Sequence, residues 1–334
     1  MDEPLWTEAY APDLSEIPQD DAREYLERAV SEPINLVVQG PAGSGKTAAV
    51  RAMARAAHDD PDNDLVEINV ADFFGRTKTE LTNDPRFEHF LTGRSQLSKR
   101  DMINHVLKES ASYAPVSGSY KTILLDNAED VREDFQQALR RIMERHHRST
   151  QFVLTTRQPT KLIPPIRSRC YPVRLAAPTS EEIAAVLERI AEAEAVPFDD
   201  DGIEFVAGYA DGNLREAILA AQTIGATTGE ITMQAAYETL GEIGFDEEVE
   251  SMLDDAEAGA FTDARKTLDE LLVDEGLDGA EVLEAILSTA RSRYQGRDLA
   301  RIHRLAGDVE FDHVEGTSDR IHLSRLLAEL GREA

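Results

Sequence analysis

Gly40-Pro41-Ala42-Gly43-Ser44-Gly45-Lys46-Thr47 fits the phosphate-loop pattern G-x-x-x-x-G-K-[ST]. Ile34-Asn35-Leu36-Val37-Val38-Gln39 before it reads as a buried strand, and Ala48 to Ala57, rich in Ala and Arg, reads as a helix after it. Strand, loop and helix in that order are the context the motif requires. The glycines let successive backbone N–H groups close around a polyphosphate, and the helix N-terminus adds positive dipole. Lys46 would reach the β/γ oxygens, and Thr47 would offer its hydroxyl to Mg²⁺. Gly40, Pro41, Ala42, Gly43, Ser44, Gly45, Lys46 and Thr47 are therefore candidate nucleotide ligands.

Outward from the loop, short apolar or β-branched runs recur at Ile34–Val38, Leu65–Val70, Thr122–Leu125 and Phe152–Thr155, with helix-like segments between them. This alternation predicts an α/β fold with a parallel sheet and helices on both faces. Residues 73–100 interrupt it with a polar stretch that reads as a loop or insertion, partly mobile. After Pro178 the pattern becomes helical. Thr179 and Glu182 form a capping box, and Ile183, Val186, Leu187 and Ile190 follow at helical spacing. Ile203–Ala210, Asn213–Ile224 and Ile231–Leu240 read as further helices, with Gly225 to Gly229 as a break. Val249–Leu253, Phe261–Leu272, Val282–Ala290, Leu299–Ala306 and Ile321–Leu330 each carry an apolar stripe. The expected division is a nucleotide-binding domain over 1–174, a small helical lid over 175–241 and an all-α domain over 242–334.

The 334-residue chain carries 35 Lys+Arg against 64 Asp+Glu, a formal net charge of −29. Only seven of the 35 basic residues are lysine, and the acids are spread along the whole chain. That composition suits high salt, where self-repulsion is screened within about 3 Å at molar ionic strength. It does not exclude nucleic acid, because a few local arginines still contact phosphates. Cys170 is the only cysteine, so neither an internal disulfide nor a cysteine zinc site can form. The start of the chain lacks a basic and apolar signal segment, and no apolar run approaches the ~20 residues of a membrane span. A cytoplasmic protein is the expectation.

Thr122-Ile123-Leu124-Leu125-Asp126 is a strand ending in an acid, the form of a Walker B segment, and Asp126 would hold Mg²⁺ directly or through water. In ATPases of the AAA+ kind the next residue is normally a glutamate that orients the attacking water. Here it is Asn127, which cannot take a proton, so hydrolysis by this chain itself is expected to be slow. Glu129, two residues on, reads as a solvated helix-start acid rather than a substitute base, since the offset points it elsewhere.

The order of motifs resembles the small subunit of archaeal replication factor C, a sliding-clamp loader, over nearly the whole chain. Leu5-Trp6-Thr7-Glu8-Ala9-Tyr10-Ala11-Pro12 is similar to the family's W-x-E-K-Y-R-P box, which implies that Tyr10 and Pro12 pack near the adenine. Glu67-Ile68-Asn69-Val70-Ala71-Asp72 resembles E-L-N-A-S-D, and Gln136 to Glu144 matches Q-Q-A-L-R-R-x-M-E almost letter for letter. Ser168-Arg169-Cys170 carries the family's S-R-C, which implies that Arg169 is a finger supplied in trans to a neighbour's ATP. Gly212-Asn213-Leu214-Arg215 resembles sensor 2, which implies that Arg215 reaches the γ-phosphate.

The resemblance implies ATP and Mg²⁺ as cofactors. It implies other large and small clamp-loader subunits, the sliding clamp and primer–template DNA as partners, in a hetero-oligomer whose all-α domain forms a collar. Val282, Leu283, Ile286 and Leu287 could face that collar or fill a private core. Departures are equally plain. Ala9 and Ala11 replace basic residues, Asn127 replaces the Walker B glutamate, and Arg157 stands near sensor 1, where the family has asparagine. Asn104 falls where the family often has a DNA-facing arginine. Lys99, Arg100, Arg140 and Arg141 are DNA-backbone candidates. Arg140, Arg141, Arg145 and Arg148 could instead pair internally with Glu133, Asp134 or Glu144. This pattern resembles a divergent second small subunit, either active within the complex or held as an ATP-ordered structural subunit. A replication initiator would want a winged helix at the C-terminal end, and 242–334 shows no strand pair for one.

Overall fold

A computed structural model describes residues 4–84, 87–94, 96–243, 246–315 and 318–332. The chain divides into two compact units, 1–236 and 237–334.

The first unit is built on five parallel strands: β1 (Leu36–Gln39), β2 (Leu65–Asn69), β3 (Lys121–Asp126), β4 (Thr150–Thr156) and β5 (Tyr171–Arg174), in spatial order β2-β3-β4-β1-β5. The register pairs Leu36 with Val153 and Tyr171, and Thr122 with Gln151 and Leu65. Side chains alternate across the pleat, so each strand feeds two cores. Val37, Ile123, Leu125, Phe152 and Leu154 face one side. There they meet helices α3 (Lys99–Ser112) and α4 (Glu133–His146) through Met102, Ile103, Phe135 and Leu139. Leu36, Val38, Leu124, Val153 and Val173 face the other, against α1 (Asp20–Ser31) and α2 (Lys46–Ala57) through Leu26, Val50 and Met53. Strands covered on both faces read as apolar runs, which is why β1, β3 and β4 were legible; β2, at an edge, was legible through Leu65, Val66 and Ile68. β5 was not, because it is a four-residue edge strand with three of its residues exposed.

Residues 73–100 are not the loop that their polarity suggested. Lys78–Asn83 and Glu88–Leu91 are helical, and α3 begins at Lys99. Phe73, Leu81, Phe87, Phe90 and Leu91 are all buried in the α3–α4 core. A few large apolar anchors spaced among polar residues are enough to seat short helices that have little propensity of their own. Part of this stretch, around residues 85, 86 and 95, lies outside the described residues.

The expected helical segment after Pro178 forms α5 (Ser180–Glu194), α6 (Asp200–Tyr209), α7 (Leu214–Thr228) and α8 (Met233–Ile243). Thr179 and Glu182 close the predicted capping box at α5. The predicted break at 225–229 is a continuation of α7 to Thr228, stopped by Gly229 in the left-handed region.

In the second unit, α9 (Asp246–Glu257), α10 (Phe261–Asp269), α11 (Gly279–Arg293), α12 (Gly296–Glu315) and α13 (Asp319–Gly331) enclose their own core. Val282, Leu283 and Ile286 are buried in it, and Leu287 packs against it. Of the two readings open for these four residues, the private core is the one observed. Among the described residues, no helix is long and apolar enough to cross a membrane.

Candidate nucleotide-binding site

The carboxyl ends of β1, β2, β3 and β4 meet at one edge of the sheet, where ligands of open α/β sheets bind. β1 runs into the glycine-rich loop, and Gly45 caps α2 in the left-handed region at φ 89°. Space decides two other glycines. A Cβ on Gly40 would lie 1.9 Å from the Leu175 carbonyl oxygen, and one on Gly43 would lie 1.6 Å from Asn213 Oδ1. The loop is thus a cradle that only main chain can line, which suits a polyphosphate.

Lys46 is only 9% exposed. Its Nζ donates to the Pro41 carbonyl at 2.5 Å, so the ammonium folds back over the cradle. Burial lowers its pKa, Glu129 and Asp126 oppose that, and Arg157 adds to it, leaving the group below the usual ammonium value. Thr47 Oγ1 donates to Asp126 Oδ1 at 2.8 Å, and Thr155 Oγ1 donates to the same oxygen. Asn69 Nδ2 lies 3.5 Å from Asp126 Oδ2. A hydroxyl and a carboxylate held side by side beneath the loop fit the oxygen donors that Mg²⁺ takes.

Asn127 adopts the left-handed region at φ 56° and ψ 50°, where asparagine is among the few tolerated residues. Its N–H donates to Thr155 Oγ1 at 3.2 Å, and Nδ2 donates to Asn69 Oδ1 at 3.4 Å. Glu129 corrects the sequence reading. It is not solvated: its side chain is 1% exposed and pairs with Arg157 at 2.9 Å. Burial pushes its carboxyl up, but hydrogen bonds from Arg157, its own backbone and Thr156 outweigh that and hold it below the usual carboxylate range. The tight 3₁₀ turn at Ala128–Asp130 swings it inward, which residue spacing alone did not show.

The helical segment reaches the loop directly. The Arg215 N–H donates to the Gly43 carbonyl at 3.3 Å, while the Arg215 side chain is exposed. Gln19, missed in the sequence, also reaches the loop and is 8% exposed. Its Nε2 bridges the Ala176 carbonyl at 3.0 Å and the Ser44 carbonyl at 3.4 Å. Gln19 and Thr155 fall in no motif, and their one signal is that each is polar at the end of an apolar strand or the start of a helix. Asn69 and Asn213 lie inside the E-L-N-A-S-D-like and sensor 2-like stretches, which could have selected them. In the N-terminal box, Trp6 is buried and its N–H donates to Gln222 Oε1 on α7 at 2.9 Å. The Tyr10 hydroxyl bonds to Glu194 on α5, which raises the phenol pKa, and the Pro12 carbonyl accepts from Arg55 at 2.6 Å.

Comparison with known proteins bears on the family and the fold. Residues 26–179 match the family described as DNA polymerase III, delta subunit, and residues 246–329 match the replication factor C C-terminal domain. A replication factor C small subunit of Halobacterium salinarum is 31% identical, over 99% of this chain and 97% of that protein. This chain belongs to the replication factor C small-subunit family. Members from Staphylothermus marinus and Sulfolobus acidocaldarius are 32% and 34% identical over 98% and 100% of the chain. They match over 94% and 97% of their own lengths. The Thermotoga maritima RuvB Holliday junction branch migration motor shares the fold, with a TM-score of 0.55 at 16% identity. That match covers 81% of this chain and 87% of the RuvB chain, and it places the sheet and helices in the AAA+ architecture.

Away from the cradle, Arg169 lies two residues before β5, one of the two edge strands. Its side chain is 36% exposed. Nη2 donates to Glu144 at 2.6 Å and Nη1 to the Pro165 carbonyl at 2.8 Å. With Asn35, Met143, Glu144 and His147 it lines a shallow hollow of about 310 Å³.

The DNA candidates fall on two adjacent helices, Lys99 and Arg100 on α3 and Arg140 and Arg141 on α4. Arg100 pairs with Asp134 at 2.6 Å and Arg140 with Glu144 at 3.0 Å. Among the described residues, Arg141, Arg145 and Arg148 make no ion pair. Asn104 has its Oδ1 buried without a partner.

Cys170 packs against the α3–α4 core, and burial pushes its thiol up to about 12 despite Arg169 beside it. At pH 8 its thiolate fraction in the native chain is about 10³-fold below that of an unperturbed thiol. Iodoacetamide labelling followed by mass spectrometry should be slow in buffer and fast in denaturant. Equal rates in the two would contradict this placement.

Proposed function

We propose that this chain is the ATP-binding small subunit of a sliding-clamp loader that acts on primer–template DNA in the cytoplasm. It would work in a hetero-oligomer of large and small subunits. The observation that carries the reading is the cradle. Main-chain amides at Gly40–Thr47, the Lys46 ammonium and the Thr47–Asp126 pair converge on one edge of the sheet. Lys46 and the loop amides would bind the phosphates, and Thr47 with Asp126 would hold Mg²⁺. Bound there, the metal supplies charge neutralisation for the transferring phosphoryl group. The resemblance would put the base near Tyr10 and Pro12 of the N-terminal box, and Gln19 ties the neighbouring chain to the loop at Ser44. The Gly43–Arg215 hydrogen bond couples the lid to the loop, so occupancy of the loop can be felt in the lid angle.

Arg169 would act in the neighbouring subunit's site. Exposed ion pairs are weak, so exchanging Glu144 for a phosphate at a docked interface costs little. The segments 1–174, 175–241 and 242–334 would serve as motor, lid and collar. Arg141 and Arg145 on α4, and Arg148 just past its end, have no ion partner among the described residues and are the best candidates for the DNA backbone. Lys99, Arg100 and Arg140 are the weaker ones.

Lys46→Ala tests the site. It should weaken ATP binding by about 10- to 150-fold, the worth of a charge-assisted hydrogen bond of about 1.5–3 kcal/mol. Titration calorimetry with MgATP, alongside a circular dichroism check of the fold, measures it. Unchanged affinity in a folded variant refutes the assignment.

A second reading, favoured by Asn127, makes the chain a structural subunit in which ATP orders an interface and turns over slowly.

A further inference from the structure

Glu129 is the one buried acid of the site that the reading above leaves without work. It stands at the carboxyl end of β3, 1% exposed, in a position that normally disfavours a charge. Arg157 offsets that cost twice, with Nε at 2.9 Å from Oε1 and its backbone N–H at 3.3 Å from Oε2. Arg157 itself is 53% exposed and follows β4 directly. β4 lies between β1, which leads into the loop, and β3, which ends at Asp126. The guanidinium therefore emerges between the two walls of the phosphate site. Lys46 is electrostatically linked to Glu129, Asp126 and Arg157 alike. Without a ligand, the cleft holds two cations and two anions in mutual balance. An incoming polyphosphate adds several negative charges, and its terminal phosphate must share Arg157 with a carboxylate that is already there.

We infer that Glu129 is an internal anion that competes with the nucleotide's terminal phosphate for Arg157 and so sets how strongly this site prefers a triphosphate to a diphosphate. The inference rests on the nucleotide reading of the loop. A fixed carboxylate repels the γ-phosphate, which only the triphosphate carries, and it ties up the nearest exposed cation. Both effects tax ATP more than ADP. Glu129 is here a specificity-determining residue, acting through Arg157 and through charge.

The test is a double-mutant cycle read by binding, not turnover. MgATP and MgADP affinities are measured by calorimetry for the wild-type chain, Glu129→Gln, Arg157→Gln and the double variant, with melting temperatures alongside. Glu129→Gln should raise the ATP-over-ADP preference by about 5-fold or more, the low end of coupling between interacting sites. Arg157→Gln should lower the preference, and in that background Glu129→Gln should have much less effect. Arg157→Gln strips the buried Glu129 of its partner, so the double variant, which removes both charges, keeps the test readable if either single variant fails to fold. Equal shifts for ATP and ADP in Arg157→Gln overturn the inference while leaving the site intact. A wild-type chain that binds neither nucleotide overturns the site, and the inference with it.

Discussion

Arg169→Ala should slow hydrolysis at the interface that Arg169 completes by about 10³–10⁵-fold, the usual worth of an arginine finger. It should leave the ATP affinity of the isolated chain unchanged. Two observations separate these effects. Arg169 precedes the edge strand β5, so it lies at the border of its own sheet. The phosphate cradle is formed at the carboxyl ends of the inner strands by Lys46, Thr47 and Asp126, and none of their hydrogen bonds involves Arg169. In the isolated chain the guanidinium is held by Glu144 and Pro165, outward of the core. Its removal deletes a surface ion pair of little stabilising value. Single-turnover hydrolysis in the reconstituted complex, with calorimetry on the isolated chain, distinguishes a finger in trans from one in cis. A loss of ATP affinity in the isolated variant would place the arginine in its own site and refute the interface role.

Asn127→Glu should raise the complex's turnover at this subunit's own site by about 10²–10⁴-fold, the worth of a general base. Asn127 follows Asp126 at the end of β3, beside the oxygens that Thr47, Thr155 and Asn69 surround. Its amide joins that network through Asn69 but cannot accept a proton. The left-handed backbone at 127 suits asparagine better than glutamate, so the variant should also melt at a slightly lower temperature. The two readouts are independent: lower stability with higher turnover supports a degenerate catalytic position. If the wild type already turns over as fast as Asn127→Glu, the structural-subunit reading is dead and another group, such as the buried Glu129, must be supplying the base.

Much of the site could be read directly from one-letter spacing. Loop geometry is local: the positions of Gly43, Gly45, Lys46 and Thr47 are set by the first turn of α2 and the end of β1. The Walker B acid was equally legible, because an apolar strand closing on an aspartate leaves that carboxylate at the sheet edge. Glu129 was misread for the complementary reason. A 3₁₀ turn of three residues decides whether its side chain meets water or Arg157, and Arg157 lies 28 positions away. Residues 73–100 were misread because composition weighs every residue alike, whereas Phe73, Leu81, Phe87, Phe90 and Leu91 decide that the segment folds inward.

By itself, the sequence determined the chemistry of the cradle, the parallel α/β sheet and the family to which the chain belongs. These depend on residue type and on contacts only a few positions apart. Tertiary structure alone decided that Thr155 and Asn69 hold Asp126, and that Asn213 closes on Gly43. It also decided that Gln19 ties the loop to Ala176 and that Glu129 faces Arg157. Each of these contacts joins strand ends or helix starts distant in the chain, and a register between strands, which no local pattern encodes, brings them to one edge of the sheet.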